Sequence, residues 1–332
     1  MRKFPFYFLL FMPVLMQAGD GVYKRQLILM GSAFEISVVE EDSVKAAADI
    51  DAAVVEIRRI EKLISSWDPD SETSEINRNA GIRPVKVSRE LFMLIKRSLA
   101  ISRITDGAFD ITYASMDRIW HFDGTMKRMP SPEAIRQSVE KVGYQNVILD
   151  EKNMTVFLKK KGMKIGFGGI GKGYAADRAK QLLIKRGVKA GIINASGDLN
   201  TWGKAPDGRS WTVAIVNPLN KYKTFALVPV SDRAVATSGN YEKYVVFDGV
   251  RYSHIINPKT GYPATGIISV SVFAPAAELA DALATAVFVM GIDVGLNMIN
   301  QLPGVEAIIV DDKGGVHTSE HIQINSLEEQ YH

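Results

Sequence analysis

Between residues 166 and 173 the chain reads Gly-Phe-Gly-Gly-Ile-Gly-Lys-Gly, with four glycines in the first six positions, and this run constrains the fold more than any other. Glycine costs conformational entropy on folding, so such density marks a place where the backbone turns tightly or approaches something closely. The run follows an apolar alternating stretch and opens a helical pattern from Tyr174 to Lys180. Backbone amides at a strand-to-helix turn of this kind can cradle phosphates. Read as Gly-x-Gly-x-x-Gly, it lacks the acid expected about twenty positions on, where Arg186, Gly187 and Val188 stand. Read as a P-loop, it has Gly173 where a metal-binding hydroxyl belongs. A dinucleotide dehydrogenase and a P-loop NTPase are therefore excluded. A phosphate-binding loop remains, beside the plainer reading of a structural turn.

Residues 275–291 predict a helix, with Pro275 near its start, acids in the early turns, strong helix formers throughout and Gly291 at its end. At about 100° per residue, offsets of three and seven bring Glu278, Asp281 and Thr285 onto one face. Carboxylate and hydroxyl oxygens suit Mg²⁺, which keeps several waters and completes its shell with phosphate oxygens. The same acids would also complement a helix dipole, with Thr285 as core filler. Upstream, the segment from Ser253 to Pro263 puts His254 alone at a turn shaped by Pro258 and Gly261. With an ordinary pKa of about 6.5, a histidine offers a neutral base near pH 7, although a lone one also serves as a hydrogen-bonded structural group.

Smaller clusters surround these. Met30-Gly31-Ser32 precedes an alternating strand, Phe34 to Val39, and a polar loop, Ser65 to Asn77, carries Trp67, an aromatic able to cover a planar ring. Asp106 to Thr112, Asn194 to Asp198 and Ala236 to Tyr241 are each, taken singly, an ordinary turn.

In this order and at these separations, the set resembles the ApbE family, the FAD:protein FMN transferases. The pieces that match are Met30-Gly31-Ser32, Ser66 to Pro69, Asp106 to Asp110, Gly169 to Asp177, Asn194 to Asp198, Thr237-Ser238-Gly239-x-Tyr241, Ser253 to Gly261, and Ala280 to Ala286. The resemblance implies an enzyme that binds FAD with Mg²⁺, cleaves its pyrophosphate, and attaches FMN through a phosphoester to a threonine or serine of a target protein, releasing AMP. It implies Asp281, Thr285 and the carbonyl of Gly169 as Mg²⁺ ligands, with Glu278 as a further oxygen, and His254 as the catalytic proton-transfer residue. Met30, Trp67, Ala108, Phe109, Asp110, Lys172 and Ile255 correspond to positions lining the FAD site. The acceptor would be a protein of an extracytoplasmic or membrane redox system. Three positions depart from the family pattern: Gly166 and Asn257 stand where many members have aspartate, and Ile111 where proline is common. An FAD pyrophosphatase using water, or a non-catalytic flavin-binding protein, are the competing readings.

Composition permits this and narrows the partners. Formal charge is +3, or +1 with 38 basic against 37 acidic residues once Arg2 and Lys3 are removed, which leaves no electrostatic footprint for nucleic acid. Met1-Arg2-Lys3, an apolar run from Phe4 to Met16, and Gln17-Ala18-Gly19-Asp20 read as a secretory signal, residues 1–18, with an uncleaved anchor as the alternative. Residues 19–332 then form one transferase domain at the periplasm or the outer face of the inner membrane. The absence of cysteine excludes a disulfide framework and a thiol nucleophile. Alternation predicts strands near 27–39, 145–150, 154–160, 190–196, 211–217, 225–230, 243–247, 267–273 and 305–311, and helices near 43–65, 88–104, 131–141, 172–187 and 275–299. Long helices interleaved with antiparallel-looking strands favour α+β with mixed or antiparallel sheets flanked by helices. The resemblance adds the ApbE-type fold, with the flavin site in a central crevice.

Overall fold

The computed structural model describes residues 16–17, 21–216, 224–240, 243–322 and 325–326. Most of the expected signal segment 1–18, Tyr241 of the 237–241 motif, and His332 lie outside the described residues.

Alternating apolar residues build a nine-stranded sheet whose spatial order is its chain order: β1 Met16–Gln17, β2 Val22–Leu29, β3 Ser32–Val39, β4 Gly191–Ala195, β5 Asp198–Trp202, β6 Ala234–Gly239, β7 Ile267–Ala274, β8 Glu306–Asp311 and β9 Val316–Thr318. Every pairing in it is antiparallel. The helices are α1 Ser43–Ile64, α2 Glu72–Arg78, α3 Arg89–Ile104, α4 Pro132–Ser138, α5 Gly171–Lys185, α6 Ala277–Met290 and α7 Ile292–Asn300. Helices segregated from antiparallel strands in this way make an α+β architecture.

The side-chain period of two sorts the sheet's faces. On β7, Val270, Val272 and Ala274 join the core formed with Ile50, Ile57 and Ile60 of α1, Ala176 and Leu183 of α5, and Leu283 and Val287 of α6. Phe273, on the alternate face, packs with Val235, Ile308, Ile215 and Val228 beneath a three-stranded sheet, Trp211–Val216, Thr224–Val230 and Asn325–Ser326. Each fully buried aliphatic side chain contributes roughly 1.5–3 kcal/mol, so both layers are held by apolar burial. β7 is consequently buried along its whole length.

Several boundaries differ from the sequence expectation. The strand expected over 27–39 is a hairpin, because Met30 (φ 51°) and Gly31 (φ 68°) both take the left-handed conformation of a two-residue turn. The helix expected over 275–299 is two helices, broken where Gly291 takes φ 87°. Helix α2 lies in the segment read as a polar loop; its polar sequence hides the apolar period, and Ser71 caps it by accepting from the Ser74 N–H at 2.9 Å. Strands β5 and β6 and the strand Val250–Ser253 were not expected either. In β5 the buried side chains are largely polar, Asp198, Asn200 and Thr201 among them, so the usual alternation is absent.

Candidate active site

Helix α6 has no cap of its own: its first residues are alanine, and a neighbouring helix supplies the acceptors. Asp177 of α5 takes the Ala277 N–H at 2.9 Å on one oxygen and the Glu278 N–H at 2.8 Å on the other. Asn200 of β5 donates to the same carboxylate at 2.5 Å. The crossing of α5 and α6 is close enough that a Cβ on Gly173 would collide with the Ala277 carbonyl, which explains the glycine where a P-loop has a hydroxyl residue. Burial at this crossing pushes the Asp177 carboxyl up to about 6.

The clamp fixes what α6 presents one and two turns later. Asp281 is 5% exposed and accepts the Gly173 N–H at 3.2 Å. The Thr285 hydroxyl is 3.4 Å from Ser238 Oγ of β6 and 3.1 Å from where a Cβ on Gly169 would stand. A carboxylate, a hydroxyl and the backbone of the glycine loop therefore converge. The loop itself, after an irregular stretch that follows the strand Thr155–Leu158, closes through the Gly171 N–H bonding the Phe167 carbonyl at 2.7 Å. No side chain caps α5 behind it, which leaves an amide-rich positive helix end at the cavity.

Two further charges stand beside this helix start. Lys172 forms an ion pair with Asp198, which is 2% exposed at the head of β5. Burial raises the Asp198 carboxyl, against the pull of Lys172. Burial likewise raises Asp281 well above the ordinary carboxylate value, and the negative Asp198 adds to the rise. Two buried acids thus face one lysine, a local deficit of positive charge.

His254 lines the same cavity, at the end of a two-stranded hairpin, Tyr244–Phe247 with Val250–Ser253. Its backbone N–H donates to the Lys243 carbonyl at 3.1 Å, and ring Nδ1 lies 3.3 Å from the same oxygen. That partner can only accept, so Nδ1 carries the proton and Nε2 is left as an acceptor. Crowding by surrounding protein lowers its pKa, with the Lys243 charge adding to the effect, and the ring is neutral at pH 7.

Gly169, Lys172, Asp198, Ser238, Asp281, Thr285 and His254 line one cavity of about 480 Å³, together with Ala108, Phe109, Asp110, Tyr113, Ile255 and Pro258. A second cavity of about 560 Å³ shares Tyr113, His254 and Ile256 with it and adds Trp67, Arg118, Trp120 and Lys164. Each falls in the ordinary range of ligand sites, about 300–1,000 Å³.

The profile of the ApbE family matches residues 30–309. The chain belongs to the ApbE family. It is 34% identical over 307 residues to a protein of Treponema pallidum named FAD:protein FMN transferase, covering 87% of this chain and 84% of that one. A Klebsiella pneumoniae protein of the same name is 31% identical, with 88% and 90% covered. The crystal structure of the ApbE protein from Thermotoga maritima aligns with a TM-score of 0.81 at 36% identity, covering 90% of this chain and 97% of that one.

Against the ApbE expectation, Gly169, Lys172, His254, Ile255, Asp281, Thr285 and the run Ala108 to Asp110 come together in the first cavity. Trp67, 78% exposed with the Arg118 guanidinium 4.8 Å from its ring centroid, lines the second. Met30 sits at the β2–β3 turn, packed against the core beside Gly171, and is not in the lining of either. Both oxygens of Asp110 are engaged internally, by Thr112 at 2.7 Å and by the Tyr144 N–H at 2.8 Å. Glu278 is not brought to the other α6 oxygens: Arg97 holds it at 2.5 and 2.9 Å. A shared azimuth was not enough, since a guanidinium from α3 engages both oxygens of this carboxylate. The Asn257 departure has a structural explanation, for its side-chain oxygen accepts the N–H groups of Lys259 at 2.9 Å and Thr260 at 3.4 Å, a turn cap that an amide serves as well as a carboxylate.

Sequence reasoning gave no role to Asp177, Asp198 or Tyr113. Asp198 had a signal, since a lysine at a glycine loop facing a buried wall calls for an acid. Among the described residues there is no group of three or more His, Cys, Asp or Glu side chains able to hold a metal. The converging groups include only one carboxylate, with a hydroxyl and the backbone of the glycine loop, and the charge deficit around Asp281 fits a hard cation coordinated partly by substrate oxygens.

Proposed function

We propose that this protein is a Mg²⁺-dependent flavin transferase that cleaves FAD, attaches FMN through a phosphoester to a threonine or serine of an exported acceptor protein, and releases AMP. The observation carrying the proposal is the presence in one cavity of Asp281, Thr285 and the Gly169 backbone, beside an uncapped helix start, together with a histidine whose Nε2 is left to accept a proton. The names of the relatives support the same reading.

Phosphoryl transfer asks the protein mainly for positioning and charge neutralisation. Asp281, Thr285 and the Gly169 carbonyl would hold Mg²⁺, which when bound would supply charge neutralisation at the diphosphate. Lys172, kept in place by Asp198, and the amides at the start of α5 bind the phosphate oxygens. His254 Nε2 accepts the proton as the acceptor hydroxyl oxygen bonds to the FMN phosphorus, and the bridging bond to AMP breaks. Export rests on the sequence of residues 1–18.

Incubation with FAD, MgCl₂ and an exported candidate acceptor tests the reading. Flavin fluorescence on the acceptor band in a denaturing gel, with stoichiometric AMP, is the expected result. Free FMN and AMP without labelled protein would make it a hydrolase, and unchanged FAD would remove catalysis altogether.

A further inference from the structure

Tyr113 belongs to the turn Ile111–Ser115, which Asp110 fixes from the front, and its ring stands on the boundary between the two cavities, 40% exposed and lining both. The phenol reaches the glycine loop. An added Cβ at Gly168 would overlap its oxygen, and one at Gly166 would lie 3.7 Å from it and 3.1 Å from the Ala114 methyl. The missing side chain at 168 therefore makes the room that the phenol occupies, and a methyl there would expel it. At its tip the Gly168 N–H faces the phenolic oxygen, and the charges of Asp281 and Arg118 lie within electrostatic range. Although the ring is partly exposed to the cavities, desolvation of the hydroxyl against the glycine loop raises its pKa and Asp281 adds to the rise, so the hydroxyl keeps its proton. Among the described residues no acceptor for that proton is found. An oxygen that accepts a backbone N–H is made a better donor in turn, and the open direction is the cavity.

We propose that Tyr113 is a substrate-binding residue whose hydroxyl donates to a non-bridging diphosphate oxygen of the dinucleotide, at the passage between the two cavities. The inference rests on the flavin-dinucleotide reading of the site. It assigns the diphosphate in preference to the flavin ring because the phenol lies against the same loop as Gly169 and Lys172, within range of Asp281. It also gives Gly168 a reason, as the floor on which a tyrosine lies.

Tyr113→Phe preserves the ring and removes only the donor. The measurements are dissociation constants for FAD, by quenching of flavin fluorescence, and for ADP and riboflavin, by calorimetry, all without turnover. Loss of a hydrogen bond to a charged group predicts about tenfold weaker binding of FAD and ADP, with riboflavin unchanged. A residue that only packs would leave all three constants alone. Gly168→Ala should reproduce the loss in the wild-type background and add nothing in Tyr113→Val, where there is no phenol to displace. If wild-type protein binds FAD and Tyr113→Phe binds FAD and ADP equally well or more tightly, the role of Tyr113 is overturned while the flavin reading stands. Wild-type protein that fails to bind FAD removes both.

Discussion

Replacing Asp177 by alanine separates two opposed effects of one buried carboxylate. The change leaves the Ala277 and Glu278 amides and the Asn200 side chain without their acceptor. Each orphaned buried donor costs about 1–3 kcal/mol, so the two helix amides alone cost about 4 kcal/mol. Against this stands the charge. A rise from the ordinary 3.8 to about 6 means that the folded protein disfavours the ionised form, by about 3 kcal/mol at pH 7. That penalty is absent below about pH 4, where both states hold the proton, and it grows as pH rises to about 6 and slightly beyond. At pH 7 the variant escapes nearly all of it, and the net loss is about 1–2 kcal/mol. At pH 5 the wild-type carboxyl is mostly protonated when folded, less is escaped, and the deficit grows by about 1 kcal/mol. Denaturant unfolding of both proteins at pH 5 and pH 7 measures the two deficits, and every other titrating group cancels in the comparison. A deficit that shrinks at pH 5 would refute the assignment of the raised pKa to burial at the α5–α6 crossing.

His254→Ala should slow FMN transfer by about 10²–10⁴-fold with FAD affinity within about tenfold, as measured by acceptor labelling and fluorescence titration, because proton transfer acts on rate more than on ground-state binding. With the imidazole pKa lowered by crowding, the rate should fall on the acid side with a midpoint below 6.5; a pH–rate profile with its acid limb at or above that value contradicts the neutral-base assignment. Asp281→Asn should melt at a higher temperature than wild type in EDTA, since a buried, poorly compensated charge is removed, and should lose the stabilisation wild type gains from MgCl₂. A thermal-shift series with and without Mg²⁺ checks both halves. Glu278→Gln should leave the Mg²⁺ concentration for half-maximal rate unchanged, because Arg97 already holds that carboxylate.

The parts of the fold that could be read from the chain are those where one pattern dominates. Helices α1, α3 and α5 fall close to their expected bounds because apolar residues recur at helical spacing and Asp42 and Ser88 cap α1 and α3. Strand β5 was missed for the reason it matters: its inward groups serve Lys172, Asp177, Lys180 and the Arg233 carbonyl, so burial does not announce itself as hydrophobicity. That Asp281 and Thr285 share a face of α6 was legible because they are four residues apart on one helix, and both line the cavity. Glu278 shows the limit of azimuth alone, since its partner Arg97 comes from another helix. Tyr113 lies beyond sequence reasoning, since its contact with Gly168 joins segments 55 positions apart by numbering, with no local period to link them.

Helix α6 carries alanine at 277, 280, 282, 284 and 286, all fully buried between the sheet and α5. Side chains that small have no rotamers to exchange, and a helix seated on them has little room to roll or slide. On the metal-dependent function proposed above, an incoming ion would meet donor atoms on a frame that is already fixed, so little reorganisation would be left for the moment of binding. The corollary would be intolerance: an ion of larger radius would find a frame that does not widen for it, and discrimination between cations would come from stiffness as much as from the chemistry of the oxygens.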